Sequence, residues 1–145
     1  MEKTLSSETM VRPLKLKVPP EQLSPLVLAY LGDAVYELYV RAHLLGDGTG
    51  KVNSLHKAAV GFVQAKTQAR ILQELEKELS PVEAGVARRG RNTKSAHVPK
   101  NAEMLDYRKA TALECLIGYL YLKGEHNRIN EIFVKAREIV EGGGL

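Results

Sequence analysis

Apolar residues recur along most of this chain at spacings of three and four, the pattern of helices that bury one face. Leu28, Leu31, Val35, Leu38, Ala42 and Leu45 form the first such stripe, with Ser24 placed to cap it and Pro25 in its first turn. Gly46-Asp47-Gly48 ends it. A second segment follows Asn53 or Ser54 and carries Leu55, Ala58, Ala59, Phe62 and Val63. A third runs to about Leu79, turning Ala69, Leu72, Leu75 and Leu79 inward and Glu74, Glu76, Lys77 and Glu78 outward. Ser80-Pro81 repeats the cap-and-proline start for a short helix reaching about Arg89. The longest apolar helix spans roughly Ala102 to Leu122, and a final one carries Ile129, Ile132, Phe133, Ala136 and Ile139. The stretch Leu14-Lys15-Leu16-Lys17-Val18, bracketed by prolines, is a short edge strand or nothing regular. The pattern predicts an all-α fold: a bundle of about six to seven helices over residues 21–141, an extended lead-in at 1–20 and a flexible tail at 142–145.

Composition narrows the class. A length of 145 residues suits one domain with a real core, and 44% hydrophobic with 26% charged residues is a globular balance. No apolar run approaches the ~18–20 residues of a membrane span. Met1 to Lys17 is polar and does not resemble a signal peptide. Cys115, the one cysteine, lies in an apolar helix and reads as a small core residue rather than a nucleophile. A reduced, cytoplasmic setting follows, with no membrane partner. The net charge of +4 matters because it is clustered. Between Glu83 and Glu103 there is no acid, while Arg88, Arg89, Arg91, Lys94 and Lys100 fall in that interval. Gly90, Asn92, Ser95, Pro99 and Asn101 punctuate it, so residues 90–102 are expected to form an exposed basic loop, able to contact the phosphates of a nucleic acid.

Two acids stand out against their surroundings. Asp33 sits in Leu-Ala-Tyr-Leu-Gly-Asp-Ala-Val-Tyr-Glu-Leu at 28–38, and Glu114 in Ala-Thr-Ala-Leu-Glu-Cys-Leu-Ile-Gly at 110–118. A carboxylate in an apolar helix needs a compensating partner, because burying a bare charge is costly. Tyr30, Asp33 and Glu37 share one helical face; Tyr107, Thr111, Glu114 and Gly118 share another. If the two helices pack so that Asp33 and Glu114 converge, they form a hard oxygen site suited to Mg²⁺. Such a site can activate water and stabilise the leaving oxygen of a phosphodiester. The alternative is that each acid is an ordinary surface or ion-paired residue. His43, His56, His97 and His126 show no paired metal-ligand spacing, which argues against zinc, and no phosphate-binding glycine loop is present.

Leu31-Gly32-Asp33-Ala34-Val35-Tyr36-Glu37-Leu38 resembles the signature helix of the ribonuclease III family, and residues 110–118 resemble its second catalytic helix. The resemblance covers about residues 22–140 in the family's order. The absence of room for a double-stranded-RNA-binding domain, together with the run Arg88-Arg89-Gly90-Arg91-Asn92-Thr93-Lys94-Ser95, is similar to the Mini-ribonuclease III subfamily. It implies a ribonuclease III-like endonuclease domain: a Mg²⁺-dependent homodimer that cleaves double-stranded RNA, leaves 5′-phosphates and matures the large-subunit (23S) ribosomal RNA precursor. Asp33 and Glu114 match catalytic metal ligands of the family. Two further family acids fall on Ala29 and Thr111, so half of the usual carboxylate cluster is missing. Glu103 or Asp106 could take up their work. Glu37 and Thr111 are expected to support the site from one layer out, and Tyr30 to pack across the dimer axis. Lys57, Lys66 and Arg70 lie on segments that flank the RNA groove in the family. The depleted cluster keeps open a non-catalytic RNA-binding or ribosome-assembly protein on the same fold.

Overall fold

A computed structural model describes residues 15–46, 50–93 and 103–142. Within them lie six α-helices and no strand: α1 Pro25–Leu45, α2 Val52–Val63, α3 Ala65–Leu75, α4 Pro81–Asn92, α5 Met104–Leu122 and α6 His126–Glu141. Single 3₁₀ turns at Pro20–Gln22 and Glu76–Glu78 precede α1 and extend α3. The caps expected from sequence form. The Ser24 side chain accepts the Val27 N–H. Ser80 and Glu83 complete a reciprocal capping box at the start of α4. Gly124, with φ at 76°, ends α5 while Glu125 N–H reaches back to the Leu120 carbonyl, a Schellman turn into α6.

The bundle is organised around α5, which packs against α1, α3, α4 and α6. From Ala110 to Leu120 every residue of α5 except Glu114 is buried, as a helix apolar on all sides must be. Glycines set how closely its neighbours approach. A methyl group at Gly32 would stand 1.7 Å from the Glu114 carbonyl oxygen, and one at Gly118 would stand 2.0 Å from the Leu28 carbonyl oxygen. The α1 and α5 backbones therefore touch at a reciprocal glycine contact, one residue before Asp33 and one turn after Glu114. Gly90 serves the α4–α5 contact, where an added Cβ would lie 2.9 Å from Cys115 Cβ. Cys115 is fully buried there, and burial lifts its thiol to about 11, which leaves it unreactive.

The inner face of α1 differs from the stripe expected. Leu28 and Val35 are buried and Leu31 is half-buried, but Leu38 and Leu45 are 65% and 62% exposed and Ala42 is exposed. The core is entered instead by Ala29, Gly32, Tyr36, Val40 and Leu44. A spacing of alternating threes and fours drifts around a straight helix by about 20° per heptad. More importantly, α1 is apolar on two sides, and the closest contact selects the side with the small residues. The opposite side leaves Val27, Tyr30, Ala34 and Leu38 at the surface. Helix ends also shift: α2 begins at Val52, α3 stops at Leu75 and α4 continues to Asn92, three residues beyond Arg89. Residues 15–19 are not a strand. The turn that follows is tied to α5 by Glu21, which accepts from Tyr119 Oη at 2.8 Å and Lys123 Nζ at 2.9 Å.

Candidate active site

The glycine crossing brings Asp33 and Glu114 into hydrogen-bonding contact. Asp33 lies at the surface and Glu114 is half-buried beneath it. Burial first, and the facing Asp33 second, push the Glu114 carboxyl up to about 8. Asp33 is also raised, by partial burial and then by Glu37, while its bond to Glu114 pulls it down. The two acids thus share one proton, as expected for like charges that cannot both ionise at close range. Among the described residues, no lysine or arginine is one of the groups that set either proton affinity. Gln68 of α3, a buried amide, donates to the Glu114 carboxylate from the other side. Tyr36 lies close enough to feel the Glu114 charge, but its hydroxyl donates to the Phe62 carbonyl at 2.8 Å, closing the end of α2.

The remaining expected site residues fall into three groups. Glu37 stands one turn beyond Asp33 and is ion-paired with Arg41. Ala29 and Thr111 are both buried, and the Thr111 hydroxyl donates to the Tyr107 carbonyl at 3.0 Å, so neither position presents a carboxylate to a ligand. Glu103 and Asp106 sit eleven and eight residues before Glu114, about 16 and 12 Å along the helix axis at the standard rise, too far to complete the pair in the same chain. Tyr30 is 82% exposed on the outer apolar side of α1, so it is not a core residue of this chain.

Of the basic residues, Arg88 and Arg89 project from the last turns of α4, and Lys57 and Lys66 are exposed on α2 and α3. Arg91 belongs to the helix rather than a loop, because Gly90 packs on α5 and carries α4 onward; its guanidinium pairs with Glu76 at 3.6 Å. Arg70 pairs weakly with Glu74 at 3.9 Å. Lys94 and Lys100 lie outside the described residues. Two polar residues of the site escaped the sequence reading, Gln68 and Tyr36. Gln68 had a signal, since it precedes Ile71, Leu72 and Leu75 at core spacing and so belongs to an inward face.

Among the described residues no group of three or more His, Cys, Asp or Glu could hold a metal. The donor set is the carboxylate pair, and it fits a hard divalent cation. Both groups are oxygens, the upper one reaches solvent, and their shared proton marks a place where positive charge is wanted. Mg²⁺ characteristically takes one or two carboxylates and completes its shell with water and phosphate.

Known proteins bear on this arrangement. The profile of the ribonuclease III domain matches residues 26–125. Curated relatives named Mini-ribonuclease 3 include one from Brevibacillus brevis, 54% identical over 85% of this chain and 92% of its own. Another, from Symbiobacterium thermophilum, is 47% identical over 86% of this chain and 95% of its own. A crystal structure of a Fusobacterium nucleatum protein is similar with a TM-score of 0.77, at 29% identity over 83% of this chain and 94% of that one.

Proposed function

The chain belongs to the ribonuclease III family and is an endoribonuclease acting on double-stranded RNA, and from that premise we propose that Asp33 and Glu114 are its catalytic residues, holding one Mg²⁺ between them. The family is generally dependent on a divalent metal. The observation that carries the reading is the pair itself: two acids from different helices, in contact, at a surface, with no basic residue among the described ones raising or lowering either proton affinity. A bound divalent cation would supply the charge that makes water a stronger nucleophile and stabilises the leaving oxygen. Asp33 and Glu114 would each present an oxygen to it, Glu114 releasing its proton as the cation arrives. Hydrolysis joins a water oxygen to phosphorus and breaks the bond to the 3′ oxygen, leaving a 5′-phosphate and a 3′-hydroxyl. Glu37, held by Arg41, adds negative potential beside Asp33, and Thr111 keeps the helix face beside Glu114 filled.

The RNA is gripped by its backbone. Arg88 and Arg89, with Lys57 and Lys66 and, beyond the described residues, Lys94 and Lys100, supply cations for phosphates; Arg91 contributes after leaving Glu76. Recognition is of A-form shape and 2′-hydroxyls rather than bases. Val27, Tyr30, Ala34 and Leu38 present an apolar strip that a second copy would cover, making a homodimer with one site for each strand. The substrate we assign is the large-subunit (23S) ribosomal RNA precursor in the cytoplasm, on the strength of the subfamily resemblance. Among the described residues no helix is long and apolar enough to cross a membrane.

Cleavage of a long RNA duplex by wild type and Asp33→Asn, with Mg²⁺ and with EDTA, tests the reading. The expected result is Mg²⁺-dependent cutting that falls at least about a hundredfold in the variant while duplex binding persists. Undiminished cutting by Asp33→Asn would overturn the assignment of the site.

A further inference from the structure

Gln68 is 1% exposed, so it cannot touch RNA, and it lies on the inner face of α3 among Ala69, Ile71, Leu72 and Leu75. An aliphatic residue would occupy such a place at no polar cost, whereas a buried amide must find a partner. Its neighbour Thr67 shows the contrast. Thr67 is equally buried, and its hydroxyl has no hydrogen-bond partner among the described residues. The Gln68 amide, by contrast, reaches across the α3–α5 interface and donates to the Glu114 carboxylate.

We infer that Gln68 is a positioning residue: its amide fixes which Glu114 oxygen faces Asp33 and the cation, and so sets metal affinity and rate without contacting substrate. The inference rests on the reading of Asp33 and Glu114 as the metal-holding pair. A glutamate side chain turns about three bonds, and here Gln68 is a neutral donor aimed at it, whereas the nearby Tyr36 hydroxyl is committed to the Phe62 carbonyl. With one carboxylate oxygen held by the amide, the other is left toward Asp33. The family's fuller carboxylate cluster would constrain a cation from several sides, but Ala29 and Thr111 do not, so more of the geometry falls to whatever orients Glu114. Partners that orient metal-binding carboxylates typically change affinity or activity by about 10–100-fold when removed.

The test compares wild type with Gln68→Met, which keeps length and bulk and removes the donor, with Thr67→Val as a control for polarity lost from the same buried helix face. Three quantities are measured: kcat and KM on a duplex RNA, the Mg²⁺ concentration for half-maximal cleavage, and the affinity for Mn²⁺ by calorimetry without RNA. Gln68→Met is expected to lower kcat about tenfold or more, leave KM for RNA within about twofold, and weaken Mn²⁺ binding about tenfold. Thr67→Val should match wild type in all three. If Gln68→Met does not fold, judged by circular dichroism in EDTA, Gln68→Asn keeps the side chain polar but withdraws the amide by one methylene, and the same losses are expected. Wild-type kcat and Mn²⁺ affinity in the folded variant would overturn the inference. Asp33→Asn and Glu114→Gln are run alongside. If they still cleave and bind Mn²⁺, the reading of the pair itself fails; if they lose both while Gln68→Met does not, only the role of Gln68 fails.

Discussion

Glu83 and Glu114 are both sheltered carboxylates on helices, and they are treated in opposite ways. Glu83 caps the start of α4 and receives a two-pronged bond from Arg128 of α6, at 2.9 and 3.1 Å. Burial opposes its ionisation, yet the Arg128 bond, the Ser80 backbone and the guanidinium charge together hold its carboxyl below the usual range. Glu114 is more deeply buried and, among the described residues, no cation shifts its proton affinity; it faces a second acid and holds its proton to about 8. One junction is complete in the chain alone. The other leaves two acids facing each other, the arrangement we propose a cation completes. The first arrangement stabilises the fold by itself; the second costs stability, which is the contrast expected if it serves the binding proposed for it.

The sharpest way to break this contrast is to part the helices that create the second junction. Gly32→Ala drives a methyl group into the Glu114 carbonyl and should cost about 3 kcal/mol, the upper end for overpacking, since backbone rather than a pliable side chain must give way. Denaturant unfolding would read that loss, and a variant as stable as wild type would mean that the crossing is looser than described.

Glu114→Gln and Glu83→Gln should then move stability in opposite directions. The proton affinity of Glu114 is raised by folding, so the native state holds an extra proton between its ordinary value near 4.5 and about 8, and stability falls as pH climbs through that window. Removing the carboxylate should therefore stabilise the protein on the alkaline side, by on the order of 1–2 kcal/mol, with the gain fading below about pH 4.5. Glu83 is the reverse case: its folded value lies below 4.5, so its contribution is present above that pH and lost in acid. Glu83→Gln should cost about 1–2 kcal/mol at neutral pH and nothing once the carboxyl is protonated. Thermal melts of both variants across pH would check the signs, and parallel curves would dissolve the distinction.

The smallest effect expected lies at the other end of α4. Arg89→Glu should leave folding unchanged but reduce the salt dependence of duplex binding by about one unit of slope. An unaltered slope would remove Arg89 from the RNA surface.

Much of this was legible in the sequence, for identifiable reasons. Ser24-Pro25 and Ser80-Pro81 announced α1 and α4 because capping is a local transaction between a side chain and the next three amides. Asp33 and Glu114 could be singled out because a charge in an apolar stretch is anomalous wherever the chain goes. What failed was whatever depended on a choice between faces. With apolar residues on two sides of α1, spacing could not say that Gly32 rather than Leu38 meets the core, and the answer came from how closely two backbones can approach. The reach of α4 was similarly hidden: Gly90 reads as a breaker in isolation, and only its seat against Cys115 and Ala112 makes it part of a helix. Gln68 gives a fainter signal, a neutral amide at a core position that no charge marks out.

The contact between Gly32 and Gly118 also acts as a ruler. Asp33 follows one glycine directly, and Glu114 precedes the other by one helical turn, so each carboxylate is placed by counting from the point where the backbones meet. Inserting a single residue between Gly32 and Asp33 would swing the acid about 100° around α1, out of reach of its partner. A change in loop length between these helices leaves that count as it is. A change in length within the two short stretches that carry the acids alters it directly.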